Sequence, residues 1–187
     1  MRVFLAVAPG EPFVAALSSR LDGVRSRSPL RWTRPDTWHL TLAFLGEWAD
    51  ERLEALQDAL VAFDPGPPFR LHAGGVGAFP HLRRPRVLFL HLEDDGSAAR
   101  LAGRLRDLVD GVWPDGPQDR KSFRAHLTLA RIDRSLEQRQ LNLIHDIDLS
   151  GLPEISVEGF SLVASQLGTG GPRYRDLAFI RMRKKGE

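Results

Sequence analysis

WHLTLAFLG (Trp38 to Gly46) and FRAHLTLAR (Phe123 to Arg131) carry the same four residues, His-Leu-Thr-Leu, at 39–42 and 126–129, 87 positions apart in a chain of 187. Alternation of polar and apolar residues is strand periodicity. His39 and Thr41 therefore share one surface, as do His126 and Thr128, while Leu40, Leu42, Leu127 and Leu129 turn to the other. The leucines anchor each strand in a core and give the histidines rigid backing. One His-x-Thr is most simply a half-buried strand with its polar side outward. Two identical copies need another reason, because a solvent-facing surface has no cause to repeat the same His and Thr in the same order.

Outward from the motifs, Val3 to Ala8 reads as a buried strand and Glu11 to Val24 as a helix behind Pro12, with Phe13, Val14, Leu17, Leu21 and Val24 at helical spacing. Leu30 to Thr33 is expected as a short strand, Pro35 to Thr37 as a turn, and His39 to Leu45 as a strand ending at Gly46. A helix over Asp50 to Phe63 puts Leu53, Leu56, Leu60 and Val61 on one face and stops at Asp-Pro-Gly-Pro-Pro. Phe69 to Phe79 and Arg86 to Leu92 read as strands, and Asp95 to Trp113 as a helix with Leu101, Leu105, Leu108 and Val112 inward. After the second motif, Ser135 opens a short helix through Ile144, and Ile155 to Gln166 pairs with Tyr174 to Arg183 around Gly168 to Gly171. Irregular alternation of strands and helices, with hairpins between some strands, predicts an α+β chain with antiparallel sheets, not a doubly wound parallel one. Each motif heads a strand that precedes a helix. Two related halves within one domain over 1–187 are expected, without a long visible repeat.

Composition narrows the classes. With 42% hydrophobic and 27% charged residues the chain can bury a core and is not a disordered polyelectrolyte. No apolar run is long enough to span a bilayer, and the start lacks a signal-peptide core, so no membrane association is expected. The absence of cysteine removes disulfides, thiolate metal sites and Cys nucleophiles and suits a cytoplasmic location. Net charge is only +2, yet arginine outnumbers lysine 23 to 3, a skew that fits phosphate recognition and GC-rich coding equally well.

Opening a phosphodiester needs a base to take a proton from water and an acid to protonate the departing alkoxide. Two imidazoles on opposite sides of one phosphorus meet that need, each contributing on the order of 10²- to 10⁴-fold. The Thr41 and Thr128 hydroxyls would donate to the non-bridging oxygens. No cofactor and no metal are expected, since three or four His or carboxylate ligands at metal spacing are not found. His72, His81, His91 and His145 lack a Thr two residues on and are read as structural or surface residues. His81 sits with Arg83, Arg84 and Arg86 in a basic loop that is either solvated or tracks a nucleic-acid backbone. Trp38 and Phe44 are assigned to core packing, and Arg173 and Tyr174 to the border of a cleft. Gly168 to Gly171 lacks the Gly-Lys-Ser/Thr of a phosphate loop and is read as a wide turn.

The paired motifs resemble those of the two-histidine phosphoesterase superfamily and, more narrowly, the bacterial and archaeal RNA 2′,3′-cyclic phosphodiesterases, also called 2′-5′ RNA ligases. The likeness extends over RWTRPDTWHLTLAFLGE (Arg31 to Glu47), GGVGAFP (Gly74 to Pro80), FRAHLTLAR (Phe123 to Arg131) and Ser165 to Leu177. Ala125 stands where that family often has proline. The resemblance implies a bilobal fold of two pseudo-symmetric lobes, each an antiparallel sheet flanked by helices, with the active-site cleft between them. It implies hydrolysis of RNA 2′,3′-cyclic ends to 2′-phosphates, with His39 as proton donor, His126 as proton acceptor and Arg131 as a phosphate clamp. Arg131 lies five residues from His126, on the wrong face of a regular strand, so a bulge or strand end must re-aim it. The implied partners are cyclic-ended RNA, such as tRNA halves, or small cyclic nucleotides, met by a monomer. The same site run backwards would ligate 2′-5′ ends. Two alternatives stand beside the RNA hydrolase: a non-catalytic RNA-end-binding module, and a phosphodiesterase restricted to small cyclic nucleotides.

Overall fold

The structure is a computed structural model that describes residues 1–28, 30–82, 84–117, 121–133, 135–169 and 171–183. The two motif strands, β3 (Leu40–Glu47) and β6 (His126–Arg131), lie antiparallel and meet through one pair, Leu40 with Leu127. From that join the strands run outward in matching order. On one side follow β1 (Arg2–Val7), β8 (Gly159–Gly168) and β9 (Gly171–Arg181), and on the other β5 (Val87–Glu93), β4 (Phe69–Phe79) and β7 (Ile155–Val157). All these pairings are antiparallel. A two-residue strand, β2 (Arg31–Trp32), pairs with the end of β6.

Helices cover the outer faces. α3 (Ser97–Val112) packs on β3 and on α2 (Leu53–Ala62), and α2 also touches β9. α1 (Glu11–Arg27) packs with α4 (Gln138–His145), where the buried Gln140 amide donates to the Ser28 hydroxyl at 3.4 Å. The leucines of both motifs enter one core with Val3, Leu5 and Val7 of β1, while Phe4, Ala6 and Val163 form a smaller cluster with Phe44 on the opposite face of that sheet. Among the described residues no helix is long and apolar enough to cross a membrane.

Several expected element ends move. The second helix begins at Leu53 behind a 3₁₀ turn over Asp50–Arg52, and Val61, 76% exposed, lies off its buried face. In α3 the inward positions are Leu101, Leu105 and Val109; Leu108 and Val112 are only half-buried. α4 is capped by Glu137, whose side chain and that of Gln140 form a reciprocal capping box, so Ser135 lies outside the helix. Gly46 does not end β3 but sits inside it at φ 73°. The expected Ile155 to Gln166 strand is divided into β7 and β8 at Glu158.

Both motif strands carry a bulge at the same place. Against β1, Thr41 pairs with Ala6 and Ala43 with Leu5, leaving Leu42 without a partner. Against β5, Thr128 pairs with Phe89 and Ala130 with Leu88, leaving Leu129 extra. One added residue reverses the alternation beyond it. Phe44 and Arg131, the third residues after each Thr, are thereby returned to the His/Thr face.

Candidate active site

The antiparallel register places four polar groups around the join. Leu40 stands opposite Leu127, and the residues flanking that pair are His39 and Thr41 on one side and His126 and Thr128 on the other. The leucine side chains of that pair are buried beneath, both 1% exposed, which leaves the four polar side chains on the other surface.

The histidines are held alike. His39 Nδ1–H donates to the Thr37 carbonyl at 2.8 Å, and His126 Nδ1–H donates to the Arg124 carbonyl at 2.7 Å. A neutral ring that donates from Nδ1 leaves the Nε2 lone pair for chemistry, and a protonated ring offers Nε2–H instead. Each ring is also bracketed by two aromatics. His39 lies 4.8 Å from the Phe4 ring and edge-on to Tyr174 at 5.2 Å, and His126 lies 5.3 Å from Phe79 and 5.4 Å from Phe89. Gly77 makes the second arrangement feasible, because a Cβ there would stand 2.5 Å from the Phe89 ring.

That packing sets the electrostatics. Burial pushes both imidazoles below the ordinary histidine value, against the carbonyl bonds that favour their protonated forms. His39 is lowered further by the charge on His126, and His126 by the charge on His91. His91 pairs with His126 across β5 and β6 and lies 3.8 Å from Glu93. It has no Thr two residues on, and its closeness to the site comes from strand register. Burial raises the Tyr174 phenol, partly countered by Arg131.

A network ties the two motifs together. The bulge at Leu129 turns carbonyls away from β5, and Thr33 takes them: its hydroxyl lies 2.7 Å from the Thr128 carbonyl and 2.8 Å from that of Leu129, while its backbone N–H donates to Leu129 at 2.9 Å. Trp38, adjacent to His39 and only 4% exposed, donates its indole N–H to the Thr33 hydroxyl at 2.9 Å. Trp38 is thus core, as expected, with a polar task as well. Thr33 carries no motif and is found only through the fold.

A cavity of about 800 Å³ opens over this surface, lined among others by His39, Thr41, Thr128, Arg131, Phe44 and Tyr174. Arg131 faces the cleft because of the bulge. Phe44 does too, with the Arg2 guanidinium 5.5 Å above its ring, so the assignment of Phe44 to the core is corrected in part. His126 is not in this wall; its ring packs against Phe79 and Phe89. His72, His81, His145, Arg84, Arg86 and Arg173 lie away from the cleft wall, and Arg83 and Gly170 fall outside the described residues. Among the described residues no three His, Asp or Glu side chains group as a cation site.

Comparison with known proteins agrees with the geometry. Residues 7–89 match the family described as LigT like Phosphoesterase. The RNA 2′,3′-cyclic phosphodiesterase of Thermus thermophilus is 37% identical over 190 residues, covering 98% of this chain and 91% of its own. That of Archaeoglobus fulgidus is 31% identical over 179 residues, covering 95% and 98%. A crystal structure of a Thermus thermophilus protein superposes with a TM-score of 0.84 at 35% identity, spanning 99% of this chain and 100% of that one. With the mirrored sheets, the paired His/Thr strands and full-length relatives above 30% identity, the chain belongs to the LigT-like phosphoesterases of the two-histidine superfamily.

Proposed function

We propose that this protein hydrolyses RNA 2′,3′-cyclic phosphate ends to 2′-phosphates by metal-independent acid–base catalysis, as one bilobal domain whose two halves each supply a histidine and a threonine. The observation that carries the reading is the matched Nδ1–carbonyl pair at His39 and His126, which leaves both Nε2 atoms open to act as proton donor or acceptor. Relatives above 30% identity that are named RNA 2′,3′-cyclic phosphodiesterases support the substrate class.

In the reaction, neutral His126 accepts a proton at Nε2 from water as the water oxygen bonds to phosphorus. On the opposite side the P–O3′ bond breaks, and protonated His39 delivers its Nε2 proton to O3′. Phosphorus stays on O2′. The Thr41 and Thr128 hydroxyls donate to the non-bridging oxygens, where charge develops, and Arg131 forks onto the same phosphate. This order of roles, His39 as donor and His126 as acceptor, rests on the resemblance to the two-histidine phosphoesterases. Run in reverse, the same steps would join a cyclic end to a free hydroxyl and give a 2′-5′ linkage. Both halves of the site come from one chain, which suits a monomer, and cleaved cytoplasmic RNAs such as tRNA halves are the proposed substrates.

Turnover of a 2′,3′-cyclic nucleotide by the His39→Ala and His126→Ala variants tests this. Each should lose on the order of 10²- to 10⁴-fold in kcat, and a chelator should leave wild-type activity intact. Salt-sensitive RNA binding with no turnover by the wild type would instead favour an end-binding module.

A further inference from the structure

Among the described residues, four arginines line the cleft, Arg2, Arg31, Arg34 and Arg131, and no carboxylate does. Two of them are answered by acids outside the wall: Arg2 Nε lies 3.6 Å from Glu47, and Arg34 Nη2 lies 3.0 Å from Asp36. For Arg31 and Arg131 no acidic partner occurs among the described residues. They also stand directly opposite one another in the β2–β6 pair. Like charges in that position repel and weaken a strand pair, and β2, with two residues, has little other pairing to offset the cost. The arrangement is satisfied when an anionic chain lies over both.

Position decides which phosphate each takes. Arg131 sits on the motif strand itself and is near enough to Tyr174, beside His39, to act on its phenol. Arg31 lies one strand farther from β5 and His126, on the same exposed face, at the outer rim of the cleft. A cyclic-ended RNA seated with its terminal phosphorus between the histidines carries its next phosphate on the 5′ side of that nucleoside. The cleft volume of about 800 Å³ is high in the range of about 300–1,000 Å³ of small-ligand pockets and leaves room for that extension.

We infer that Arg31 holds the phosphodiester on the 5′ side of the terminal nucleotide, so that the enzyme prefers cyclic-ended oligonucleotides to cyclic mononucleotides. The inference rests on the hydrolysis proposed above. Arg31 forks onto two oxygens of that second phosphate, a recognition suited to a planar guanidinium and blind to base identity.

The test compares kcat/KM of wild type and Arg31→Ala on a 2′,3′-cyclic mononucleotide and on a cyclic-ended trinucleotide, with thermal melts to establish that both proteins are folded. The wild type should favour the trinucleotide. Arg31→Ala should lower the trinucleotide-to-mononucleotide ratio about tenfold, the cost of one charge-assisted contact, chiefly through KM. The salt dependence on the trinucleotide should weaken by about one charge. An unchanged ratio overturns the inference, whether both rates fall together, which would put Arg31 on the scissile phosphate, or neither falls. A wild type that turns over neither substrate would instead overturn the hydrolysis itself.

Discussion

Each motif histidine is held by a backbone carbonyl two residues before it and by the aromatic rings around it. The carbonyls of Thr37 and Arg124 fix the Nδ1–H tautomer, and Phe4, Tyr174, Phe79 and Phe89 withdraw the rings from water. Because burial depresses both groups, the free enzyme carries both imidazoles largely neutral at pH 7, and the acid form needed at His39 grows as pH falls. A rate that needs one protonated and one neutral member peaks midway between their two pKa values, so kcat/KM should peak below pH ~6.5, the ordinary histidine value. A pH profile rising through neutrality to an alkaline maximum would contradict this. His91→Gln removes the cation that depresses His126 and should move the optimum upward, a small shift readable in the same profile. His39, Thr41, His126 and Thr128 were legible in the sequence because repetition marks them. His91 and Thr33 were not, since only register and a bulge bring them to the site.

At the level of the strand, the bulge decides what a motif presents. Period-two alternation places Arg131 on the far side from His126, and the sequence can state that a re-aiming device is required but not where it falls. The extra residue at Leu129 supplies it, and Leu42 repeats it in the other half. The carbonyls so freed are satisfied by Thr33, which Trp38 holds in turn. Thr33→Val should therefore cost about 1–3 kcal/mol in chemical denaturation and lower kcat as Thr128 loosens. Gly77→Ala should act from the opposite side of β6. The added methyl meets the Phe89 ring, which must shift towards His126, at a cost of about 1–3 kcal/mol and with reduced turnover. A variant with wild-type stability and rate would show that Phe89 does not hold His126. Val61 and the Glu137 cap illustrate a weaker form of the same limit: helices were legible from periodicity, but which edge is buried and which residue caps depend on the neighbouring element.

Across the whole molecule, β3 and β6 meet through one residue pair, Leu40 with Leu127, and the β2–β6 pair and the packing of α3 on β3 add further contacts across that join. The antiparallel α+β class followed from sequence alternation alone. The mirrored order of strands about the join did not, because β8 and β9 at the end of the chain return to β1 at its start. Truncating the buried Leu127 to Ala should cost about 2–5 kcal/mol and weaken activity by loosening the contact between the two motif strands. If His39 and His126 act on one phosphorus from opposite sides, with O3′ leaving on the His39 side, the phosphate must stay on O2′. Incubating the protein with a 2′,3′-cyclic-ended oligonucleotide and resolving the product by phosphorus NMR shows whether it does. A 2′-phosphomonoester should form with the wild type and be lost in both histidine variants; a 3′-phosphomonoester, or a product that still forms at full rate without either histidine, would mean that the two histidines do not act in this way.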